Sequence, residues 1–168
     1  MTATSARDPP SPQHHNMNPS IQIAPAATAD LADLALLFDA YRMFYGQPSE
    51  PAKASLFVRD RLTRDDSVIL LARSEDGAAL GFTQLYPTFS SIACRRAFVL
   101  NDLYIAEAAR GRGVGRALLV AARAHALGVG AAYISLETAV DNTRAQALYE
   151  SFGFRRDTQF LSYALSLC

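Results

Sequence analysis

The segment that most constrains this chain is the run Arg110-Gly111-Arg112-Gly113-Val114-Gly115. Residues 98–105 ahead of it read as an apolar strand, and residues 117–127 behind it read as a helix. Glycines at alternate positions let a backbone turn tightly while its amides face outward. An amide nest that opens a helix is an anion site, most naturally for a phosphate or pyrophosphate. A strand–glycine–helix junction also suits a dinucleotide fold. That fold places its first phosphate turn at the start of the domain and follows it with repeated strand–helix units. Here the turn comes late, and the sequence ahead of it reads as two antiparallel strands.

The rest of the chain divides at its turn residues. Residues 1–20 are rich in Pro, Ser, Thr and Asn, carry His14 and His15, and lack apolar periodicity, so a disordered tail is expected. Ile21 and Ile23 suit a short strand ending at Pro25. Asp30 is a candidate N-cap for a helix marked by Leu31, Leu34, Leu37, Phe38, Tyr41 and Tyr45, stopped by Gly46 and Pro48. A second helix is expected over 50–63, strands over 67–73 and 80–86 about an Asp76-Gly77 turn, and a loop over 87–91. A long central strand over 97–105, a helix over 113–128, a strand over 131–137, a helix over 142–151 and a last strand over 158–167 complete the order. The pattern is α/β, a mixed sheet flanked by helices, in a single domain spanning 21–168.

Composition narrows the partners. A chain of 168 residues makes one domain with a substantial core. Its formal net charge is zero, so no global field draws it to nucleic acid or to an anionic membrane. The local cluster Arg110, Arg112 and Arg116 fits an anionic ligand instead. Cys94 and Cys168 have no spacing that suggests a disulfide framework or a structural zinc site, and no metal is expected. The N-terminal residues do not read as a secretory signal, and no segment reaches transmembrane length, so a cytoplasmic location is expected. His125 is expected inside a helix at the surface or half-buried, away from any nucleophile, which leaves no Ser/His/Asp apparatus.

Arg110, Gly113 and Gly115 supply the fixed positions of the pattern Gln/Arg-x-x-Gly-x-Gly/Ala. The chain thereby resembles the GNAT superfamily of acyl-CoA-dependent N-acetyltransferases. Asn101 to Ile105 is similar to that superfamily's central strand. Asn142, Ala145, Leu148-Tyr149 and Phe152-Gly153-Phe154 are similar to its second cofactor helix and the turn after it. The resemblance runs from about residue 21 to 167. It implies the GNAT fold, with a strongly twisted mixed sheet, and acetyl-CoA as cosubstrate with CoA as product. It implies direct transfer to a primary amine of a small molecule, an amino acid, a peptide or a protein lysine. A non-catalytic acetyl-CoA sensor is the alternative. A homodimer is expected, since the fold often makes isologous pairs.

By the same resemblance, the amides of Arg110, Gly111, Arg112, Gly113, Val114 and Gly115 hold the pyrophosphate. Arg116 either reaches the 3′-phosphate region or points into water. Leu103, Tyr104 and Ile105 form the stretch where the central strand bulges and splays from its parallel neighbour. The pantetheine arm then pairs with exposed backbone, and the Ile105 amide donates to the thioester carbonyl. Asn142 and Ala145 flank the same arm. Tyr149 is the candidate proton donor to the leaving thiolate. The acceptor pocket is expected from Tyr41, Tyr45, Tyr86, Phe89 and Asn101, with Phe44 assigned to the core. The nearest likeness is to the diamine and thialysine acetyltransferase branch, whose strand glutamate falls at Asn101 here. Asparagine cannot act as a base. Asp102 is the local carboxylate, acting through water at a bulge or serving structure, and Glu137 is a remote second candidate. So few acids near five aromatic or polar residues argue against a strongly cationic polyamine.

Overall fold

The computed structural model describes residues 20–167. The expected tail, apart from Ser20, lies outside these residues, as does Cys168. The elements are β1 (Gln22–Pro25), α1 (Leu31–Phe44), α2 (Pro51–Arg64), β2 (Val68–Arg73), β3 (Ala79–Ser90), β4 (Arg95–Ile105), α3 (Val114–Gly128), β5 (Ile134–Ser135) and α4 (Thr143–Phe152). One five-stranded sheet runs in the order β1-β2-β3-β4-β5. The first three pairings are antiparallel and the last is parallel.

The sheet has a core on each face, which explains why β2 is apolar throughout. Successive side chains of a strand point to opposite faces. Ile69 and Leu71 meet Leu34, Phe38 and Val58 of α1 and α2, together with Phe82. Leu70 and Ala72 meet Leu118, Leu119 and Ala122 of α3, together with Leu85, Phe98 and Leu100. The sheet is thus buried on both sides, with the α1/α2 pair on one face and α3 and α4 on the other.

Asp30 takes the N-cap position of α1 as expected, though without a side-chain capping bond. Its carboxylate accepts from the Ala27 amide at 2.9 Å and pairs with Arg73 at 2.8 Å, bracing the turn ahead of the helix against β2. Three other expectations are corrected. Residues 87–90, expected in a loop, continue β3 and pair with β4 as far as Ser90–Arg95. β2 pairs only up to Leu85, so Pro87 sits on a sheet edge, where a missing amide proton is tolerated. The strand expected over 131–137 contracts to Ile134–Ser135. The last strand, expected over 158–167, is not formed: residues 153–167 carry neither helix nor strand.

Candidate active site

The site begins with a bulge in β4. Gln84 pairs with Asp102 and Leu85 with Leu100, so Asn101 is the extra residue. The bulge therefore lies at Asn101, ahead of the 103–105 stretch where it was expected. An extra residue reverses which face each later side chain addresses. Phe98 and Leu100 point to the α3 face, and beyond the bulge so do Leu103 and Ile105. Tyr104 is sent to the α1/α2 face. Without the bulge, Asp102 would point toward α3. With it, Asp102 points toward Tyr41.

β4 and β5 part company at the same place. Their parallel pairing consists of Phe98–Ile134 and Val99–Ser135 and goes no further. Ala106 donates to the Leu80 carbonyl at 2.9 Å, which fixes the alternation of the β3–β4 ladder. By that alternation, the main-chain groups of Leu103 and Ile105 point away from β3, into the gap beside β5. The Ile105 carbonyl confirms the direction by accepting from Arg110 Nε at 3.2 Å.

The glycine run stands at the end of this gap. Gly111 and Gly113 adopt left-handed φ of +79° and +83°, and a Cβ on either would meet nothing within 4 Å. Gly113 is the N-cap of α3. The first intrahelical bond is the Ala117 amide to the Gly113 carbonyl, at 3.0 Å. The amides of Gly113, Val114, Gly115 and Arg116 therefore have no helical acceptor, as at any helix start. The Arg110 amide is committed to the Glu107 carbonyl at 3.2 Å, so the open nest starts after it. Gly115 is small for a different reason: a Cβ there would lie 3.1 Å from Leu148 Cδ2, where α3 and α4 meet.

Arg110 and Arg116 turn their side chains onto rings. The Arg110 guanidinium lies 5.7 Å from the Phe44 centroid and 5.8 Å from that of Tyr104. Arg116 lies 5.8 Å from the Phe152 centroid. Phe44, expected in the core, is 56% exposed and serves as a platform for Arg110.

Across the gap stands a cluster of phenols. Tyr41 meets Tyr45 edge-on at 5.1 Å and Tyr104 at 6.2 Å. Burial pushes the Tyr41 phenol far above its ordinary range, and the neighbouring Asp102 carboxylate adds to the effect. Tyr149 reaches the cluster from α4, with its ring 5.8 Å from Phe154. Burial, with Tyr45 contributing, pushes Tyr149 up to about 12. A phenol so shifted keeps its proton at neutral pH and is a donor. Asn142 caps α4, its Oδ1 accepting from the Ala145 amide at 3.1 Å.

Asp102 is 3% exposed. Oδ1 accepts from Asn101 Nδ2 at 3.1 Å, while Oδ2 is buried without a well-formed hydrogen bond. Burial raises its pKa above the usual carboxylate range, against the lowering influence of Tyr41 and Asn101. Opposite it, the sequence reading missed Gln84. Its Nε2 donates to Ser67 Oγ at 2.9 Å, and its Oε1 is buried without a partner. The available signal was a glutamine in register with inward-facing Phe82 in an apolar strand. Tyr86 is half-buried, and burial raises its pKa.

Phe89 stands apart from this group. It pairs with Arg96, six residues back along β4 from Asp102, or roughly 20 Å at strand rise. Glu137 is engaged by Ser162 Oγ at 3.1 Å. His125 packs edge-on to Phe98 at 5.4 Å, and exposed Cys94 lies in the β3–β4 turn. Among the described residues, no helix is long and apolar enough to cross a membrane.

The strand gap thus meets a glycine nest at a helix start, and the class of protein follows from sequence comparison. The profile of the acetyltransferase (GNAT) family matches residues 34–154. The chain belongs to that family and is a GNAT-type N-acetyltransferase. It is 44% identical over 147 residues to YhfO of Bacillus subtilis (strain 168), described as an uncharacterized N-acetyltransferase, covering 88% of this chain and 98% of that one. It is 38% identical over 86 residues to the D-amino-acid N-acetyltransferase HPA3 of Saccharomyces cerevisiae, covering 50% of this chain and 52% of the relative. A crystal structure of a probable acetyltransferase superposes with a TM-score of 0.84 at 43% identity, covering 88% of this chain and 98% of that one.

Proposed function

We propose that this chain transfers an acetyl group from acetyl-CoA directly to a primary amine and releases CoA. The observation that carries the reading is the convergence, at one end of β4, of the β4–β5 gap, the glycine nest and the Tyr41/Tyr45/Tyr149 cluster. The nest fits a diphosphate, with two left-handed glycines open on their outer side and free helix-start amides behind them. Acetyl-CoA brings its own activated thioester, so the chain needs no covalent nucleophile. The outward amides of Leu103 and Ile105 hold an extended arm in the gap as an added strand would, and the Ile105 amide orients a carbonyl there. Tyr149 holds its proton at neutral pH and gives it up on the sulfur side of the site.

The acceptor enters past Tyr41, Tyr45 and exposed Asn101. Asp102 is too deeply buried to meet it and acts on Tyr41 and Asn101 as a positioning residue. The amine's proton leaves through water. A small amine, an amino acid or a protein lysine fits these walls, and the name of the yeast relative favours an amino acid. Initial-velocity kinetics test the transfer step: intersecting double-reciprocal lines are expected. Parallel lines, or loss of activity in a folded Cys94→Ala variant, would show a covalent relay and overturn direct transfer.

Asp102→Asn separates positioning from base catalysis. Turnover is expected within about 10-fold of wild type, below the usual effect of losing a general base. The acid limb of the pH profile should stay with the acceptor amine. The folded-state pKa of Asp102 is raised, so its contribution to stability is full when protonated and is lost as pH rises through that pKa. Asp102→Asn should therefore melt at a higher temperature than wild type at pH 7.5, and the difference should shrink as the pH approaches 4. An inactive Asp102→Asn protein with normal melting would make Asp102 the base.

A further inference from the structure

The transfer chemistry uses no part of the Arg110 side chain. The Arg110 amide is committed to the Glu107 carbonyl, and the open nest starts after it. The guanidinium is held in three ways. Nε donates to the Ile105 carbonyl at 3.2 Å, and the central carbon lies 5.7 Å from the Phe44 centroid and 5.8 Å from that of Tyr104. Tyr104 packs on the α1/α2 face, whereas α3, which carries the nest, packs on the other. The guanidinium therefore stands on the side of the sheet where Tyr41 and Tyr45 wall the acceptor entrance.

Its charge is unanswered. Among the described residues, no carboxylate lies within ion-pair distance of Arg110. The acids of α1 and of the loop after it are engaged elsewhere: Asp33 with Arg73, Asp39 with Ser49, the Glu50 amide and Arg42, and Glu50 with Arg42 and Lys53. Both Nη groups of Arg110 lack a hydrogen-bond partner among the described residues. A guanidinium fixed by one main-chain bond and two ring faces, with its Nη fork open, is prepared to grip a carboxylate.

We propose that Arg110 binds the α-carboxylate of the acceptor, and that the chain therefore selects α-amino acids. The inference rests on the acetyl transfer proposed above and names its substrate class. The distances suit that class. The nitrogen and oxygen of one residue's main chain are at most about 3.6 Å apart, so Arg110 Nε lies within roughly 7 Å of the Ile105 amide. An α-amino acid holds its nitrogen about 2.5 Å from its carboxylate carbon. A carboxylate on the fork thus brings the amine beside the carbonyl that the Ile105 amide orients. The amino-acid side chain then lies against Tyr41 and Tyr45. A diamine would bring a second positive charge to the unpaired guanidinium and is selected against.

The test uses the full chain saturated with CoA. It is titrated, with NMR detection, against both enantiomers of alanine, leucine and phenylalanine and against their carboxamides. At least one free amino acid should bind, and its carboxamide should bind at least about 20-fold more weakly, the effect of losing one charge-assisted pair. Arg110→Gln removes the charge but keeps a residue that the first position of the glycine pattern accepts. In that variant acid and amide should bind within about 3-fold of each other, with CoA affinity within about 3-fold of wild type by calorimetry. Arg110→Lys should restore part of the preference. Binding of no free amino acid, binding without preference for the acid, or a preference that survives Arg110→Gln would overturn the proposal. Loss of CoA affinity in folded Arg110→Gln would assign the guanidinium to the cofactor and overturn it equally. The comparison of acid with amide in the wild-type chain reads out even if the variants do not fold. Binding is also read without turnover: amino acids that bind through Arg110 but are not acetylated would contradict acetyl transfer and uphold the carboxylate site.

Discussion

Gly113→Asp is expected to weaken acetyl-CoA binding by at least about 100-fold, and Gly113→Asn by less than about 10-fold. Gly113 caps α3 with a φ of +83°, and a Cβ there points into open space. Asp and Asn are equal in volume and are the non-glycine residues that best tolerate this backbone. Any strain is therefore shared, and the two variants differ by one charge at the mouth of the nest. Two unit charges about 4 Å apart interact by about 1 kcal/mol in bulk water and about 4 kcal/mol near a protein surface. A diphosphate carries two such charges, which places the loss for aspartate near or beyond two orders of magnitude. Calorimetry with acetyl-CoA measures both affinities, and circular dichroism reports whether both variants are folded. Equal affinities in folded Asp and Asn proteins would remove the diphosphate from the nest.

Tyr149→Phe should lower turnover by about 10- to 100-fold, the lower part of the range for general acids, with acetyl-CoA affinity nearly unchanged. The substitution removes one hydroxyl and almost no volume, so the Phe154 contact survives. The pH dependence makes the test sharper. Burial holds the phenol near 12, so it is protonated throughout pH 6–9, and the deficit should be constant across that window. A deficit that vanished at one end would assign the effect to another titrating group. Wild-type turnover in the variant, with chemistry rate-limiting, would leave the Ile105 amide and proximity as the remaining devices.

The most legible parts of this molecule in its sequence were those fixed by local chemistry. The glycine nest follows from backbone freedom at Gly111 and Gly113, and the N-cap at Asn142 follows from its side chain. Parts that depend on pairing were misplaced. The bulge lies at Asn101 because Gln84 and Leu85 take Asp102 and Leu100 as partners, and no single strand reveals its partner's register. Phe89 was expected beside the acceptor, because Pro87 reads as a loop residue. In the sheet Pro87 occupies an edge, and the longer hairpin carries Phe89 away. The terminal strand has the right alternation, but a strand also needs an edge to join, and within this chain β5 supplies only two paired residues. The place of Gln84 opposite Asp102 depends on the register between β3 and β4, which neither strand shows alone.

Assay of the purified full chain with acetyl-CoA against a panel of amines tests the central claim most directly. The panel should hold small primary amines, L- and D-amino acids and a lysine-containing peptide. Free thiol release is followed alongside the mass of the acetylated product. Acceptor-dependent CoA release with at least one class of amine is expected, together with its loss in Gly113→Asp. A protein that binds acetyl-CoA yet releases no thiol with any member would contradict the account. It would make the chain an acetyl-CoA sensor in which Asn101 stands where a catalytic carboxylate is missing.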